Sequence, residues 1–301
     1  MRVAVTGAGG LVGAALVPAL AARGHRVTRL VRRAPRAADE RAWDPRFGLD
    51  DDVLRGVDAI VHLAGESIGA GRWTTARRRA ILESRAGTTR RIAEAIARAA
   101  HPPILIVASA VGYYGDCGDE PLTETSAPGA GFLADVTRAW EAATDPARAA
   151  GVRVVHVRSG LVLSRRGGAL ARLLPVFRAG LGGRLGNGRQ WVSWIHVDDL
   201  VAAFARALEG DAITGPINAV APNPVRQRDF AAALGRALRR PAWLPTPAVA
   251  LRAALGAMAD ELLLFSQRAL PERLAGAGFR WTHGDIGPAL ESLLRPGTGF
   301  G

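Results

Sequence analysis

The sequence predicts an α/β fold, a doubly wound parallel sheet with a smaller, mainly helical C-terminal lobe. Three observations predict it. Short β-branched runs alternate with helical patterns through the first 160 residues, strand then helix. A glycine-rich turn joins the first strand to the first helix. Beyond residue 160 the alternation loosens into helical segments broken by Pro241, Pro245, Pro247 and Pro271.

The first strand is Met1–Val5, closed by Thr6. Gly7-Ala8-Gly9-Gly10-Leu11-Val12-Gly13 follows, then an Ala/Leu-rich helical pattern. Strand, glycine turn and helix together make a phosphate-binding turn. Gly7 lets the chain reverse tightly, and Gly10 lets the backbone approach a pyrophosphate seated on the helix N-terminus. Gly13 removes a side chain where the helix must lie close. The other reading is a plain tight turn opening a βα unit.

The helix runs from Leu11 to Arg23, with Pro18 expected to kink it or shift its hydrogen-bond ladder and Gly24 to stop it. Arg26–Val31 is the second strand. In NAD-selective folds an acid about 20 residues past the last glycine binds the ribose hydroxyls. Here Arg29, Arg32 and Arg33 stand, with no acid before Asp39. Guanidinium forks hold a 2′-phosphate that a carboxylate would repel, so Arg32 and Arg33 are expected to select NADP(H) over NAD(H). A solvated strand end is the bland alternative.

Asp58–Gly65 is a buried strand running into glycine, with Glu66 and Ser67 on its carboxyl end, where such sheets hold ligands. One long helix is expected over Trp73–Ala100, then the strand Ile104–Ala108. Ser109-Ala110-Val111-Gly112-Tyr113-Tyr114-Gly115 leaves that strand toward the same edge. Asp116–Gly131 reads as a polar loop, Leu133–Ala150 as a helix and Val152–Val157 as a strand. A helix to about Gly180, a glycine-rich stretch from Gly182 to Gln190, a helix over Leu200–Leu208 and a short strand from Ile217 complete the pattern. The expected division is 1–160 for the nucleotide domain and 161–301 for a substrate lobe, interleaved with it and including a small helical domain over 245–293.

Composition narrows the function. The chain has 301 residues, 49% of them hydrophobic, enough for one large domain or one with a smaller partner. Cys117 is the only cysteine, so no internal disulfide forms and the cytoplasm is the expected compartment. No apolar run reaches membrane-spanning length, and the opening residues read as a core strand, so no signal peptide is expected. The net charge of +12 is spread along the chain, which favours a basic solvated surface over a nucleic-acid partner. A small-molecule substrate is expected, and a homodimer is left open. All 39 basic residues are arginine, and Tyr113 and Tyr114 are the only tyrosines.

Several stretches together resemble the extended short-chain dehydrogenase/reductases, relatives of the sugar-nucleotide epimerases. They are Thr6–Gly13, Val61–Gly65, Ala108-Ser109 with Tyr114-Gly115, and Ile195–Asp199. More narrowly, the chain is similar to an atypical epimerase-like family with a small C-terminal domain of unknown function. That likeness rests on Gly65-Glu66-Ser67 with Gly71-Arg72-Trp73, Ser109–Gly115, Ala139-Trp140-Glu141, Gln190–His196, Asn218–Pro224 and the tail Leu270–Leu274 with Ala277–Phe279. The resemblance implies a Rossmann domain with NADP as cofactor. The residues placed against it are Gly7, Gly9, Gly10, Leu11, Val12, Gly13, Arg32, Arg33, Leu63, Ala64, Gly65, Ser109, Ala110, Gly160 and Leu161.

The resemblance also implies an engine that this chain lacks. The superfamily uses a tyrosine and a lysine at i and i+4 on one helix, with a serine on the neighbouring strand. Counting back from Glu141 places Thr137 at the lysine position and Leu133 at the tyrosine position. No realignment restores the pair in a chain without lysine. Ser109 matches the serine, Tyr113 and Tyr114 are candidate proton donors, and Glu66 is the candidate base. Ser109, Tyr113 and Glu66 form the expected catalytic set; Glu66, Tyr113, Trp191, Trp194 and His196 are the expected substrate contacts. His196 before an Asp-Asp helix start is more readily structural than a base, Cys117 is reactive only if its pKa is lowered, and Arg158 is either structural or an anion clamp. The six histidines show no ligand spacing, so no metal is expected. The leading expectation is an NADP(H)-dependent oxidoreductase or epimerase-like enzyme. The alternative is a non-catalytic NADP(H)-binding sensor or scaffold.

Overall fold

The computed structural model describes residues 1–295; positions 296–301 of the expected second lobe lie outside the described residues. Seven strands form one parallel sheet: β1 (Arg2–Thr6), β2 (Arg26–Val31), β3 (Glu40–Ala42), β4 (Ala59–His62), β5 (Ile104–Ala110), β6 (Val154–Ser159) and β7 (Gly215–Ala219). Their spatial order is β7-β6-β5-β4-β1-β2-β3. The chain moves outward from β1 to β3, then returns to β4 on the other side of β1. That reversal opens a crevice at the carboxyl ends of β1 and β4, where a ligand can enter between diverging connections.

The longer helices are α1 (Gly13–Ala22), α2 (Thr75–Leu82), α3 (Thr88–Arg98), α4 (Phe132–Ala142), α5 (Gly168–Arg178), α6 (Val197–Glu209), α7 (Gln227–Leu238), α8 (Ala248–Leu255) and α9 (Ile286–Leu294). Helices α1 and α6 cover one face of the sheet, burying Leu16, Leu20, Phe204 and Leu208 against Val3, Val5 and Ile217. Helix α3 covers the other with Ile92 and Ile96, against Ala4, Ile60 and Leu105. Both faces are therefore dry, which is why the strands read as unbroken apolar runs. Helix α1 runs through Pro18 without ending there.

Two expected helices differ in detail. The stretch expected as one helix over 73–100 winds as a π-helix over Glu83–Gly87, between α2 and α3. The one expected over 133–150 divides after Ala142, and a short helix resumes over Asp145–Ala149. At the break the Thr144 hydroxyl donates to the Glu141 carbonyl at 2.7 Å, and Pro146 has no amide proton to continue the ladder.

The second lobe has its own core, in which Leu170, Leu174 and Phe177 of α5 meet Phe230 and Leu234 of α7, Leu290 of α9 and Trp194. The lobes share the chain. After the excursion that begins past β6, α6 and β7 return to the sheet. Later, Leu274, Phe279 and Trp281 return to the α1/α6 core. The amides of Thr282 and His283 both donate to the Asp199 carboxylate at 2.9 Å, fixing the tail to the first turn of α6. Among the described residues no helix is long and apolar enough to cross a membrane.

Candidate functional site

The crevice begins at the glycine turn. Gly7 adopts φ +69°, and a Cβ there would lie 2.8 Å from Leu63 C and Ala64 N, so only glycine fits against the β4 end. A Cβ on Gly13 would lie 2.3 Å from the Gly7 carbonyl oxygen; this glycine is required by the turn itself rather than by the sheet. Gly9 has open space where its Cβ would be. Gly10 closes the turn by donating to Gly7 O at 2.9 Å. Thr6 Oγ1 accepts from the amides of Leu63 (3.2 Å) and Ala64 (3.3 Å) and lies 2.7 Å from His62 Nδ1. With two donors already on that oxygen, its own proton goes to Nδ1, so the imidazole proton sits on Nε2. Burial, and then the charge of Arg85, lower the His62 pKa to about 3. Leu11, near Gly167 and Gly168, touches the second lobe. Gly160 and Leu161 meet the same edge beyond β6, where Leu161 N donates to Ser193 O at 2.8 Å.

The arginines after β2 are not equivalent. Arg29 is held by Asp39 at 2.6 and 2.7 Å. Arg33 makes a double bond-pair with the buried Glu40 carboxylate, both contacts 2.8 Å. Arg32 is exposed and carries no hydrogen bond or ion pair among the described residues. Arg32, Arg33, Trp43, Asp44 and Phe47 line a cavity of about 360 Å³ beside this strand end. Arg32 therefore presents the available guanidinium, while Arg33 chiefly ties β2 to β3.

At the ends of β5 and β6 lies a buried polar cluster that the sequence only half disclosed. Arg158, 3% exposed, donates from Nε and Nη2 to Glu141 at 2.8 and 2.7 Å. Burial pushes the Glu141 carboxyl up, but the hydrogen bonds and charge of Arg158 outweigh it and hold the group below its ordinary value. Ser109 Oγ donates to Glu141 at 2.7 Å, so its proton is already committed. The Arg158 guanidinium lies 3.6 Å from the Tyr113 ring centroid, a cation–π stack. Tyr114 is a structural residue: fully buried, its hydroxyl is within 2.8 Å of Thr123 O and 2.7 Å of Asn218 Oδ1, and it accepts from Arg158 at 3.0 Å. The half-buried Tyr113 hydroxyl has no hydrogen-bond partner among the described residues. On α4, the Thr137 hydroxyl donates to Leu133 O, and Glu141 follows one turn later. Glu141 thus belongs to the site, and its i+4 spacing from Thr137 was the available signal.

Glu66 stands on the β4 side. Its carboxylate is ion-paired with Arg77 at 2.9 Å, and its amide donates to Ser84 Oγ at 3.0 Å. Arg85, from the π-helical turn, donates to Glu66 O at 3.0 Å. Nothing in the sequence distinguished Arg85 from the other arginines.

The remaining expected contacts lie elsewhere. Trp194 offers no surface to a ligand: it is 0% exposed in the second-lobe core, with its indole N–H on Asn223 O at 3.0 Å. His196 is buried at the start of α6, where Nδ1 accepts the Asp198 amide at 3.1 Å and the ring stacks on His283 at 3.7 Å. Burial, then His283, lower its pKa to about 4, so it is a neutral helix cap rather than a base. His196, Asp198 and His283 bring ligand atoms within 4.8 Å of one another, a grouping their sequence spacing did not announce. Trp191 is half-buried, flanked by the guanidinium groups of Arg226 at 4.2 Å and Arg268 at 4.8 Å. Burial and nearby carboxylates raise the Cys117 pKa, the opposite of what a reactive thiol needs.

Comparison with known proteins agrees with this architecture. The family model described as "NAD dependent epimerase/dehydratase family" matches residues 3–219, and a domain of unknown function (DUF1731) matches residues 246–293. "Epimerase family protein Mb2239" of Mycobacterium bovis is 46% identical over 98% of each chain. The crystal structure of human epimerase family protein SDR39U1 (isoform 2) with NADPH superposes with a TM-score of 0.89, at 36% identity, over 98% of this chain and 99% of that one. A Thermus thermophilus UDP-glucose 4-epimerase complexed with NAD shares the fold at a TM-score of 0.77 and 22% identity, covering 98% of each chain. The parallel sheet, the glycine turn and these matches together assign the chain to the NAD-dependent epimerase/dehydratase family, among its epimerase family proteins with a DUF1731 C-terminal domain.

Proposed function

We propose that the chain binds NADP(H) and is an oxidoreductase or epimerase-like enzyme of the cytoplasm, acting on a small molecule without the usual Tyr/Lys pair. The residues fit the cofactor. The turn Gly7–Gly13 leaves its outer face open at Gly9, and α1 presents its N-terminus there. Arg32 offers an unpaired guanidinium beside a cavity at the end of β2. The human relative was crystallised with NADPH. When bound, the cofactor supplies or accepts hydride. Leu63–Gly65, Ser109-Ala110 and Gly160-Leu161 line the same edge of the sheet and orient it.

The observation that carries the catalytic reading is Tyr113, whose hydroxyl is unpartnered while its ring lies on Arg158 at the carboxyl end of β5. Tyr113 donates a proton to an alkoxide developing on the substrate. Ser109 orients Glu141 instead of polarising that oxygen, because its proton is already given. Glu66 acts as base only when its pairing with Arg77 opens. The test is NADPH oxidation across a panel of carbonyl compounds. Tyr113→Phe should lower the rate about 10²–10⁴-fold with NADPH affinity unchanged. A rate insensitive to Tyr113 but lost in His196→Ala would overturn the assignment. The committed Ser109 proton and the paired Glu66 favour the second reading, a non-catalytic NADP(H) sensor, which predicts tight NADPH binding with no oxidation anywhere in the panel.

A further inference from the structure

Arg85 is a half-buried cation with no direct ion pair among the described residues; the Glu66 carboxylate acts on it only from a distance. Its Nη1 donates only to backbone carbonyls, Glu66 O at 3.0 Å and Ile81 O at 3.3 Å. Among the described residues no carboxylate lies within ion-pairing distance of it; the nearby Glu66 carboxylate is taken by Arg77 at 2.9 Å. Two guanidinium groups thus share one carboxylate at this corner of the crevice. The groups around Arg85 add donors rather than acceptors. Its guanidinium lies 5.2 Å from the Trp140 ring centroid, and Trp140 Nε1 is buried with no partner. The Nε2–H of wholly buried His62, whose pKa Arg85 helps to lower, has no acceptor either. Buried charges are ordinarily paired, because desolvating a lone ion is costly. Burial lowers the Arg85 pKa to about 10, so it remains charged at neutral pH. The location is a ligand edge: a Cβ on Gly65 would lie 3.4 Å from the Arg85 Cζ, and the Leu63-Ala64 backbone touches Gly7 of the phosphate turn. The π-helical winding over Glu83–Gly87 carries Arg85 into this corner, on the segment that packs against α4.

We infer that Arg85, seconded by Arg77, is an anion subsite that takes a carboxylate or phosphate group at the Gly65–Glu66 corner of the crevice. The inference rests on the NADP(H) reading for its neighbourhood, and the anion comes either from the substrate or from the nicotinamide-side phosphate of the cofactor. Arg32 is a separate site, at the end of β2.

The test uses the full chain with Arg85→Met and Arg85→Lys, at matched ionic strength. If the anion belongs to the substrate, phosphate or malonate at ten times its Kd should raise the melting midpoint of the NADPH-saturated wild type by about 3–6 °C. Arg85→Met should abolish the rise, and Arg85→Lys should retain part of it. If the anion belongs to the cofactor, Arg85→Met should weaken NADPH about tenfold or more, as expected for a lost charged hydrogen bond, with 2′,5′-ADP nearly unaffected. Either result supports an anion at Arg85. Folded variants that match the wild type in both measurements overturn the inference. Should Arg85→Met fail to fold, the lysine variant decides by the same readings. A wild type that binds no NADPH ends the cofactor reading, whereas phosphate shifts in cofactor-free wild type and variants still decide the anion subsite.

Discussion

Replacing Arg158 with Met would leave the Glu141 carboxylate buried with only the Ser109 hydroxyl as a side-chain partner. The pair is well enclosed, at 3% and 12% side-chain exposure, and closed by two contacts of 2.8 and 2.7 Å. Removing one partner of such a pair costs about 3–5 kcal/mol, a large part of the roughly 5–15 kcal/mol that holds a domain folded. At about 2–4 °C per kcal/mol the melting midpoint should fall by roughly 6–20 °C. Glu141→Leu alone should do comparable damage by stranding the guanidinium. The double variant should recover most of the loss, since an apolar pair of similar volume leaves no charge to desolvate. The pH dependence changes sign. In the wild type the Glu141 pKa is lowered, so its contribution is present above the unfolded carboxyl pKa and is lost as pH falls through the folded one. Without Arg158, burial is opposed only by the Ser109 hydrogen bond and the nearby His156, and as the largest influence it raises that pKa, so the variant should gain stability as pH falls from neutral toward the unfolded value. Urea unfolding of the four proteins between pH 5 and 8 gives both quantities. A coupling below about 1 kcal/mol, the range of exposed pairs, would refute the argument.

Three further outcomes are expected. The wild type should prefer NADPH to NADH, and Arg32→Ala alone should reduce NADPH affinity by about 10–100-fold, the value of one or two charged hydrogen bonds; fluorescence titration with equal affinities for the two cofactors would remove the basis for the claim. Gly10→Val should abolish nucleotide binding while circular dichroism stays native, because its Cβ meets only Gly7 O, at 3.2 Å, and the branches occupy the pyrophosphate approach. His62, neutral in the fold with a pKa near 3, contributes stability that is complete above about pH 6.5 and falls by about 1.4 kcal/mol per unit below it, since the unfolded chain takes the proton first; unfolding free energies equal at pH 7 and pH 5 would contradict this.

The sheet was legible because six of its strands are runs long enough to cross the core. Glu40–Ala42 was missed: three residues, two of them charged, carry no period, and Glu40 is a strand residue only because Arg29 and Arg33 neutralise it. The glycine turn was legible because steric demands leave no other residue at Gly7 and Gly13. Charge pairing was not. Arg32 and Arg33 are neighbours in sequence, yet one is bound to Glu40 and the other is unpaired, and only tertiary placement separates them. The aromatic and histidine residues around Trp194 and His196 carried a pattern consistent with a pocket, but their burial shows a core and a helix cap. Arg85 was invisible because its distinction is the carboxylate it lacks.

Helix α4 begins at Gly131 with no side-chain cap of its own. The amides of Phe132 and Leu133 are satisfied instead by Glu261, at 3.0 and 2.7 Å, from a point 128–129 residues further along. During synthesis the helix bearing Thr137 and Glu141 therefore emerges long before its cap does. Until Glu261 follows it off the ribosome, the first turn of α4 can only be hydrated or frayed. The nucleotide turn is complete once Leu63 and Ala64 have followed it, whereas the first turn of α4 waits for Glu261. Nascent chains halted between these points should be competent to recognise a dinucleotide before they can position anything against it.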